Sequence, residues 1–310
     1  MEKMKYTLNI QQFANDLEKA KLMSTALDKV LMQELVTGWT ELNANQVKYT
    51  GGDEVKIPEM AMDALADYNR ETGFAKGAVT LKYRTYQFRY DRGREFSIDA
   101  MDVDESAFIP TASNVMGEFA RTQVVPEVDL VRLATMAQEA GTQEKYTGTT
   151  TKARFEAFKN GIVDIRKKGY TGQLVAHVTY EVLNDLQLEF KQNLSAVTFK
   201  VGGVDTTFQA LDGVALIPTA DNRMFVEVEK DEETEVITGT GATIEFLIVG
   251  TDVPMGITRH NPVRTFAPNV NQEKDAWKAQ YRLFHDLWVF NNKKDAIYLS
   301  YKGTLPVTGE

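Results

Sequence analysis

The chain has 310 residues, 43% of them hydrophobic and 25% charged, enough for one large domain or two modest ones around a sizeable core. It carries no cysteine, which excludes disulfide staples, thiolate metal sites and cysteine nucleophiles together. Its net charge of −9, from 44 acidic against 35 basic residues, supplies no concentrated basic surface of the kind that phosphate binding requires.

The opening stretch, residues 1–21, has no apolar core followed by a small-residue cleavage site and does not read as a secretory signal. Together with the missing cysteines, this points to a protein made and assembled in a reducing cytoplasm. No run approaches the roughly 18 uncharged apolar residues that a membrane span needs, so no membrane partner is expected. Phe13, Leu17, Leu22, Leu27, Leu31 and Leu35 recur at loose helical spacing over residues 13–35, an amphipathic segment with no partner within itself. Beyond Gly51-Gly52 the pattern turns extended, beginning with Val55-Lys56-Ile57-Pro58.

Residues 63–78 are polar and punctuated by glycine, the composition of an exposed loop. Val79, Leu81 and Tyr83 then alternate with polar residues, and Tyr86, Phe88 and Tyr90 alternate in the opposite phase. The slip near Arg84-Thr85 predicts a bulge or a bend. Phe96 and Ile98 continue the strand pattern, so residues 53–100 read as a long β-excursion with a polar tip. Such an arm covers little core of its own, and its edge groups need partners elsewhere.

Helical periodicity occupies residues 105–140, with Val115, Phe119, Val124, Val128, Val131 and Met136 along it and Pro126 inside the run, where it suits a kink or the first turn of a second helix. Glycine and threonine dominate residues 141–151, a predicted boundary. Phe155, Phe158, Ile162 and Ile165 mark an amphipathic helix that ends at Gly169. Strands are predicted at Leu174–Val178, Val214–Ile217, Met224–Val228 and Ile244–Val249, a helix near Tyr180–Phe190, and extended runs at 277–290 and 296–301. The organisation is mixed α+β.

Clustered chemistry is missing. His177, His260 and His285 stand far apart and in no metal-ligand spacing, and His177 reads as a structural histidine in an apolar strand. No nucleophile elbow, phosphate-binding loop or dinucleotide fingerprint is present. The glycine-rich run Thr238-Gly239-Thr240-Gly241-Ala242 precedes a strand and reads as a turn. Residues 227–236 are acidic but lack the central glycine of a calcium loop, so a solvated hairpin tip is expected. Asn193-Leu194-Ser195 matches a glycosylation pattern that means nothing without a secretory signal. Leu305-Pro306-Val307-Thr308-Gly309 looks like a cell-wall sorting signal but lacks the apolar span and basic residues such a signal needs, so residues 303–310 read as a tail. Neither catalytic residues, cofactor nor metal are expected.

The order of segments nevertheless resembles a known family. The run from Asp91-Arg92-Gly93-Arg94-Glu95-Phe96 to Met101-Asp102, then Asn114-Val115-Met116-Gly117-Glu118-Phe119, then Val125-Pro126-Glu127-Val128-Asp129, is similar to major capsid proteins of tailed phages and prophages. Ile248-Val249, Tyr281 through Val289 and Ala296-Ile297-Tyr298 look like the closing strands of that family. The resemblance implies a Hong Kong 97-type fold: an N-terminal arm at 1–45, an extended β-loop with its flanking strand at 46–104, a peripheral domain with a spine helix at 105–144, an axial domain at 145–268, and closing strands at 269–302 that return to the peripheral domain.

It also implies a structural protein without enzymatic activity, whose copies join into pentamers and hexamers of an icosahedral shell around double-stranded DNA, enclosed but not read. Scaffolding, portal and decoration proteins would be further partners, the virion capsid the final location, and the bacterial host cytoplasm the place of assembly. Tyr68, Phe74, Arg92 and Arg94 on the extended loop are the candidate contacts between subunits. An encapsulin-like cellular nanocompartment is the alternative role for the same fold. A small-molecule hydrolase with its site scattered over the three histidines is a third.

Overall fold

The fold comes from a computed structural model that describes residues 34–46, 48–49, 54–63, 66–68, 70–71, 74, 76–99, 115–189, 195–201, 204–266, 271, 274 and 276–305. Residues 1–33 of the expected arm, 105–114 of the expected helical run, Asn193-Leu194 of the glycosylation pattern and the tail from Pro306 onward lie outside them.

Fourteen strands form three sheets among the described residues. The first sheet is an arm: β1 (Lys48–Tyr49), β2 (Glu54–Met62) and β3 (Val79–Gln87), ordered β1-β2-β3. β4 (Tyr90–Asp99) leaves the arm and joins a long antiparallel sheet. A helical stretch then begins at Val115, passes through a π turn at Ala120–Val124 and continues as α1 (Val125–Gln138). After β5 (Thr142–Lys145) come α2 (Thr151–Lys167), β6 (Leu174–Val178), α3 (Tyr180–Glu189), the hairpin β7 (Ser195–Val201) and β8 (Val204–Leu211), and β9 (Val214–Pro218). β10 (Phe225–Lys230) and β11 (Ile237–Gly250) make a second hairpin, β12 (Pro254–Phe266) and β13 (Ala276–Val289) a third, and β14 (Ile297–Lys302) closes the chain.

The eight-stranded sheet runs β5-β14-β11-β6-β9-β8-β7, with β10 also on β11, and its central strands β14, β11, β6 and β9 are buried on both faces. The core splits by strand parity. Leu247 and Val249 of β11, Val175 of β6, and Ile297 and Leu299 of β14 face α1 and Trp39. Phe246, Ile248, Ala176 and Tyr298 face α2 and α3. Burial on both sides explains why these segments read as unbroken apolar runs and not as alternating ones. α2 starts where the Thr150 side chain accepts from the Ala153 N–H at 3.2 Å and stops just before Gly169, whose φ of +93° suits glycine. Gly161 lets the helix backbone sit against the Tyr298 ring.

The second large sheet is β12-β13-β4, with α1 and the helical stretch before it laid across one face. Leu35, Met116, Ala120, Val124, Val128, Tyr281 and Leu283 pack there.

Several expectations need correction. The phase slip near Arg84-Thr85 contains no bulge: β2 and β3 pair without a break from Glu54–Gln87 to Met62–Val79. The change of phase marks the place where β3 reaches the body. Val79 and Tyr83 are exposed, while Tyr86 and Phe88 pack on Trp288. Pro126, by contrast, stands in the first turn of α1 as expected; the π turn before it is closed by the Val125 N–H on the Ala120 carbonyl, and the Thr122 hydroxyl donates to the Glu118 carbonyl at 2.7 Å. The 238–242 run is no turn but the first part of β11, with Gly241 at φ +73°. β5 lies within the glycine- and threonine-rich boundary. Residues 35–40, assigned by pattern to the arm, belong to the body, with Leu35 and Trp39 fully buried. The closing strands do not stay together either: β13 pairs with β4 and β12, whereas β14 pairs with β11 and β5 in the other sheet, and β12 sides with β13.

Gly161→Val should overpack the helix–sheet contact, because a β-carbon there would lie 2.8 Å from the Tyr298 ring. A loss of about 1–3 kcal/mol is expected in urea unfolding followed by far-ultraviolet circular dichroism.

Candidate subunit-contact surface

The β2–β3 hairpin is the least supported part of the described chain. From Val79 to Thr85 the described side chains on both faces of β3 are exposed, including Val79 and Tyr83. The hairpin ends in residues 63–78, where Phe74 is 87% and Tyr68 59% exposed and their rings meet at 4.9 Å. An isolated two-stranded ribbon is marginal in water, and a pair of aromatic rings at its tip adds apolar surface that water disfavours.

The base of the arm is firmly held. Val55 is buried beside Met255 and Trp288, with Tyr86 and Phe88 packed around them. Where β3 passes into β4, the Arg89 guanidinium grips the buried Asp286 carboxylate in a bidentate pair, Nη2 to Oδ1 at 2.6 Å and Nε to Oδ2 at 3.0 Å. The Arg89 and Leu287 backbone N–H groups donate to the same carboxylate at 3.0 and 2.8 Å. One residue along, His285 stacks on Tyr90, ring centroids 5.2 Å apart, with Nε2 3.5 Å from the Glu127 carboxylate of α1. Burial pushes the His285 ring toward the neutral form, against the pull of Glu127. Glu127 is itself pushed up by burial, but His285 and Arg92 outweigh that and hold it below the usual carboxylate range.

A second polar knot ties α1 to the segment before the arm. Asp129, fully buried in α1, accepts from the Thr37 N–H at 3.0 Å, the Thr37 hydroxyl at 2.6 Å and Arg223 Nη1 at 2.8 Å. Burial raises its proton affinity, and these donors, with Arg132 nearby, oppose it. Arg132, also fully buried, donates to Glu41 at 2.7 Å and to the Thr258 hydroxyl. Residues 38–46 are thereby locked onto β12.

Beside β4 lies an open cleft of about 100 Å³. Phe119, Val124, Tyr281 and Leu283 give it an apolar floor, and Val236 from the β10–β11 tip forms part of its wall. Arg92 builds that wall: it bonds Glu127 at 2.7 Å and the Glu235 carbonyl at 2.6 Å, joining α1, β4 and the acidic tip. The tip itself is a solvated turn in which the Asp231 carboxylate accepts from the Glu233 and Thr234 N–H groups, both at 2.8 Å.

The four candidate contacts therefore separate. Tyr68 and Phe74 come together at the arm tip. Arg94 is exposed on β4 beside the cleft, with no ion pair among the described residues. Arg92 is engaged within its own chain, because Glu127 and the Glu235 carbonyl claim its guanidinium. Pattern reasoning missed Arg89–Asp286 and the Asp129–Arg132–Arg223 knot. One signal was available: Asp129 and Arg132 interrupt an otherwise apolar helical run, and a charge in such a place must be paired. The histidines are not gathered: His177 lies on β6, His260 on β12 and His285 on β13. His177 accepts from Trp39 Nε1 at 3.2 Å and meets the Thr219 hydroxyl at 3.3 Å, the satisfied structural histidine expected of it. Among the described residues no three His, Asp or Glu side chains gather as a metal ion would require, and no helix is long and apolar enough to cross a membrane.

The sequence matches no family model and no curated protein. In three dimensions the chain is similar to the capsid protein of cyanophage P-SCSP1u, with a TM-score of 0.57 at 10% identity over 83% of this chain and 86% of that one. The mature capsid of bacteriophage PhiM1 gives 0.55 at 10% identity, over 82% and 83% of the two chains. The chain has the Hong Kong 97-type capsid fold. A virus-like particle from Pyrococcus furiosus shares it, with a TM-score of 0.51 at 10% identity over 90% of this chain and 96% of that one. At this level of identity the likeness concerns the fold.

Acid should destabilise the molecule through its buried histidines. Burial lowers the proton affinity of His177 to about 3 and that of His285 as well. The unfolded chain takes up these protons near pH 6.5, whereas the folded chain resists. Their contribution is therefore complete above about pH 6.5 and is lost as pH falls toward the folded values. For His177 alone the loss is about 2 kcal/mol at about pH 5. Urea midpoints measured between about pH 8 and 5 should show it, and His177→Gln should flatten the curve. Asp129→Ala should cost about 3–5 kcal/mol at neutral pH, since it strands the buried Arg223 and Thr37 donors.

Proposed function

We propose that this chain is the major capsid protein of a tailed phage or prophage, self-assembling into the icosahedral shell that encloses the double-stranded DNA genome. The observation that carries the reading is an arm exposed on both faces with an aromatic pair at its end, anchored through buried polar joints to a body of capsid fold. A well-held base under an unsupported hairpin is sensible when the hairpin completes its packing on another copy. Contacts of that kind join different patches of the two partners and close into five- and six-membered rings. The net charge of −9 suits a container that surrounds DNA without gripping it. Scaffolding, portal and decoration proteins are proposed as further partners, and the host cytoplasm as the place of assembly. Tyr68, Phe74 and Arg94 remain the proposed inter-subunit contacts, with Arg92 shaping the surface from within.

An encapsulin-like compartment is the second reading, favoured by the similarity to the Pyrococcus furiosus particle over 90% of this chain. Particles recovered from the native source distinguish the two: nuclease-protected DNA inside supports the capsid, and a packaged enzyme supports the compartment.

Expressed alone, the chain should give shells, tubes or ring-shaped capsomers by size-exclusion chromatography and negative-stain microscopy. Persistent monomers across concentration and salt, also with a scaffold supplied, would refute the assembly reading. Removing residues 66–76 should leave the circular dichroism spectrum and unfolding midpoint nearly unchanged, since no described side chain there enters the core, while particle yield falls at least tenfold.

A further inference from the structure

His177 and His285 are both fully buried, yet they are treated differently. His177 is satisfied by Trp39 and Thr219, whereas neither ring nitrogen of His285 has a hydrogen-bond partner among the described residues. A buried polar group left in this way costs stability and calls for a reason. Its Nε2 stands 3.5 Å from Glu127 Oε1, and that same oxygen accepts from Arg92 Nε at 2.7 Å. Arg92 carries the line further, since its Nη2 bonds Glu127 Oε2 at 3.1 Å and the Glu235 carbonyl at 2.6 Å. Glu235 closes the β10–β11 tip at a φ of +58°, a left-handed backbone that a residue with a β-carbon disfavours. The tip therefore keeps a strained shape with help from a guanidinium whose own anchor faces His285.

The surroundings of His285 decide what a charge there can do. On β4 it meets the Tyr90 ring, nearly parallel at 13°, with Arg92 two residues on. On α1 it faces Glu127 and, further off, Arg132, which is occupied by Glu41 and Thr258. Asp286, next along β13, is gripped by Arg89. Thr258, opposite His285 on β12, carries no charge, and the β10–β11 hairpin adds the apolar Val228 and Ile237 beside Tyr90. Glu127 is the acceptor within reach of a protonated ring. Burial keeps that ring neutral at neutral pH.

We propose that His285, Glu127, Arg92 and Glu235 form a proton-driven relay: a proton on His285 draws Glu127 Oε1 to the ring, Arg92 loses its anchor, and the β10–β11 tip is released. The step adds one proton to the imidazole and exchanges one charged hydrogen bond on Glu127 for another. The new imidazolium also repels the guanidinium across the carboxylate they share. Because burial holds His285 below the ordinary histidine value, the tip stays latched at neutral pH and begins to open below about pH 6.5. The relay lies within one chain and does not depend on whether copies assemble.

The absence of cysteine allows a single reporter. Glu233→Cys, at the exposed tip, carries a nitroxide spin label on the full-length chain, and Glu156→Cys on the exposed face of α2 serves as the control. Lowering the pH from about 7.5 to about 5 should raise the ratio of mobile to immobile spectral components at the tip about tenfold, with no change at the control. His285→Phe, which can still stack on Tyr90, should keep the tip immobile across that range. Arg92→Gln should leave it mobile throughout. A tip of constant mobility in the chain that retains His285, or one that loosens equally in His285→Phe, would overturn the relay. Loosening shared by the control would also overturn it, because that is unfolding. Should His285→Phe fail to fold, Glu127→Gln replaces it: the tip should then be mobile already at neutral pH and indifferent to acid, and a response like that of the parent chain would sink the proposal.

Discussion

The backbone hydrogen bonds of β2 and β3 hold that hairpin together, but side chains on both of its faces stand in water. A β-ribbon gains stability from burying one face, and among the described residues this one buries only its base, around Val55, Tyr86 and Trp288. Everything distinctive about the molecule follows from that deficit. The body must be stable enough to carry an element that repays nothing until another surface covers it, and the arm must leave the body in one direction if the covering surface is to be found. The central strands of the eight-stranded sheet, buried on both faces, meet the first demand. The joints around Arg89–Asp286 and Asp129 meet the second.

Those joints use charge where apolar packing would cost less. Burying an ion pair commonly yields no net stability over a hydrophobic substitute, because desolvation offsets the attraction. What it does yield is geometry: a guanidinium that grips a carboxylate in two places tolerates little rotation, and stranding either partner is costly. Asp286 fixes Arg89 at the turn between arm and sheet. Asp129 and Arg132 fix residues 37–41 against α1 and β12. Arg92 fixes the acidic tip against the helix. The Arg89 joint lies where the chain passes from the arm to the second sheet, and there a small angular error is magnified along a lever of roughly 30 Å.

Much of this was legible in the sequence, and the legible parts share a physical reason. The strand Leu174–Val178 and the helix through Phe158 and Ile162 were found because burial imposes a period or an unbroken apolar run on contiguous residues. The arm was recognised because its alternation had no matching core. The β7–β8 hairpin and β12 were missed because their patterns are polar or irregular: β12 carries a register shift between Asn261 and Arg264, which breaks the alternation that would announce it. The fate of β14 was missed because strand pairing is non-local, and Ile297–Lys302 fits β11 or β13 equally well by composition alone. Of the candidate contacts, pattern could place Tyr68 and Phe74 on a protruding element, but it put Arg94 there too, whereas Arg94 lies on β4 beside Tyr281 in the second sheet. It could not see Glu127 waiting for Arg92 from 35 residues away.

The weakness of the proposed contact is consistent with its task. Burying two aromatic side chains contributes roughly 2–5 kcal/mol against the cost of ordering the tip, which leaves little for any single interface. A shell built from such contacts persists because every subunit engages several neighbours at once, so that release of one contact is followed by its re-formation before the others let go. A strong single contact would instead trap the first wrong neighbour. An arm with a small aromatic tip, rigid at its root and exposed along its length, samples many encounters and holds only those in which the whole ring fits. The divergence of the fold's members in sequence, down to 10% identity here, agrees with that division of labour. Core and lever need only the right pattern of burial and a few buried charges, which many sequences can supply.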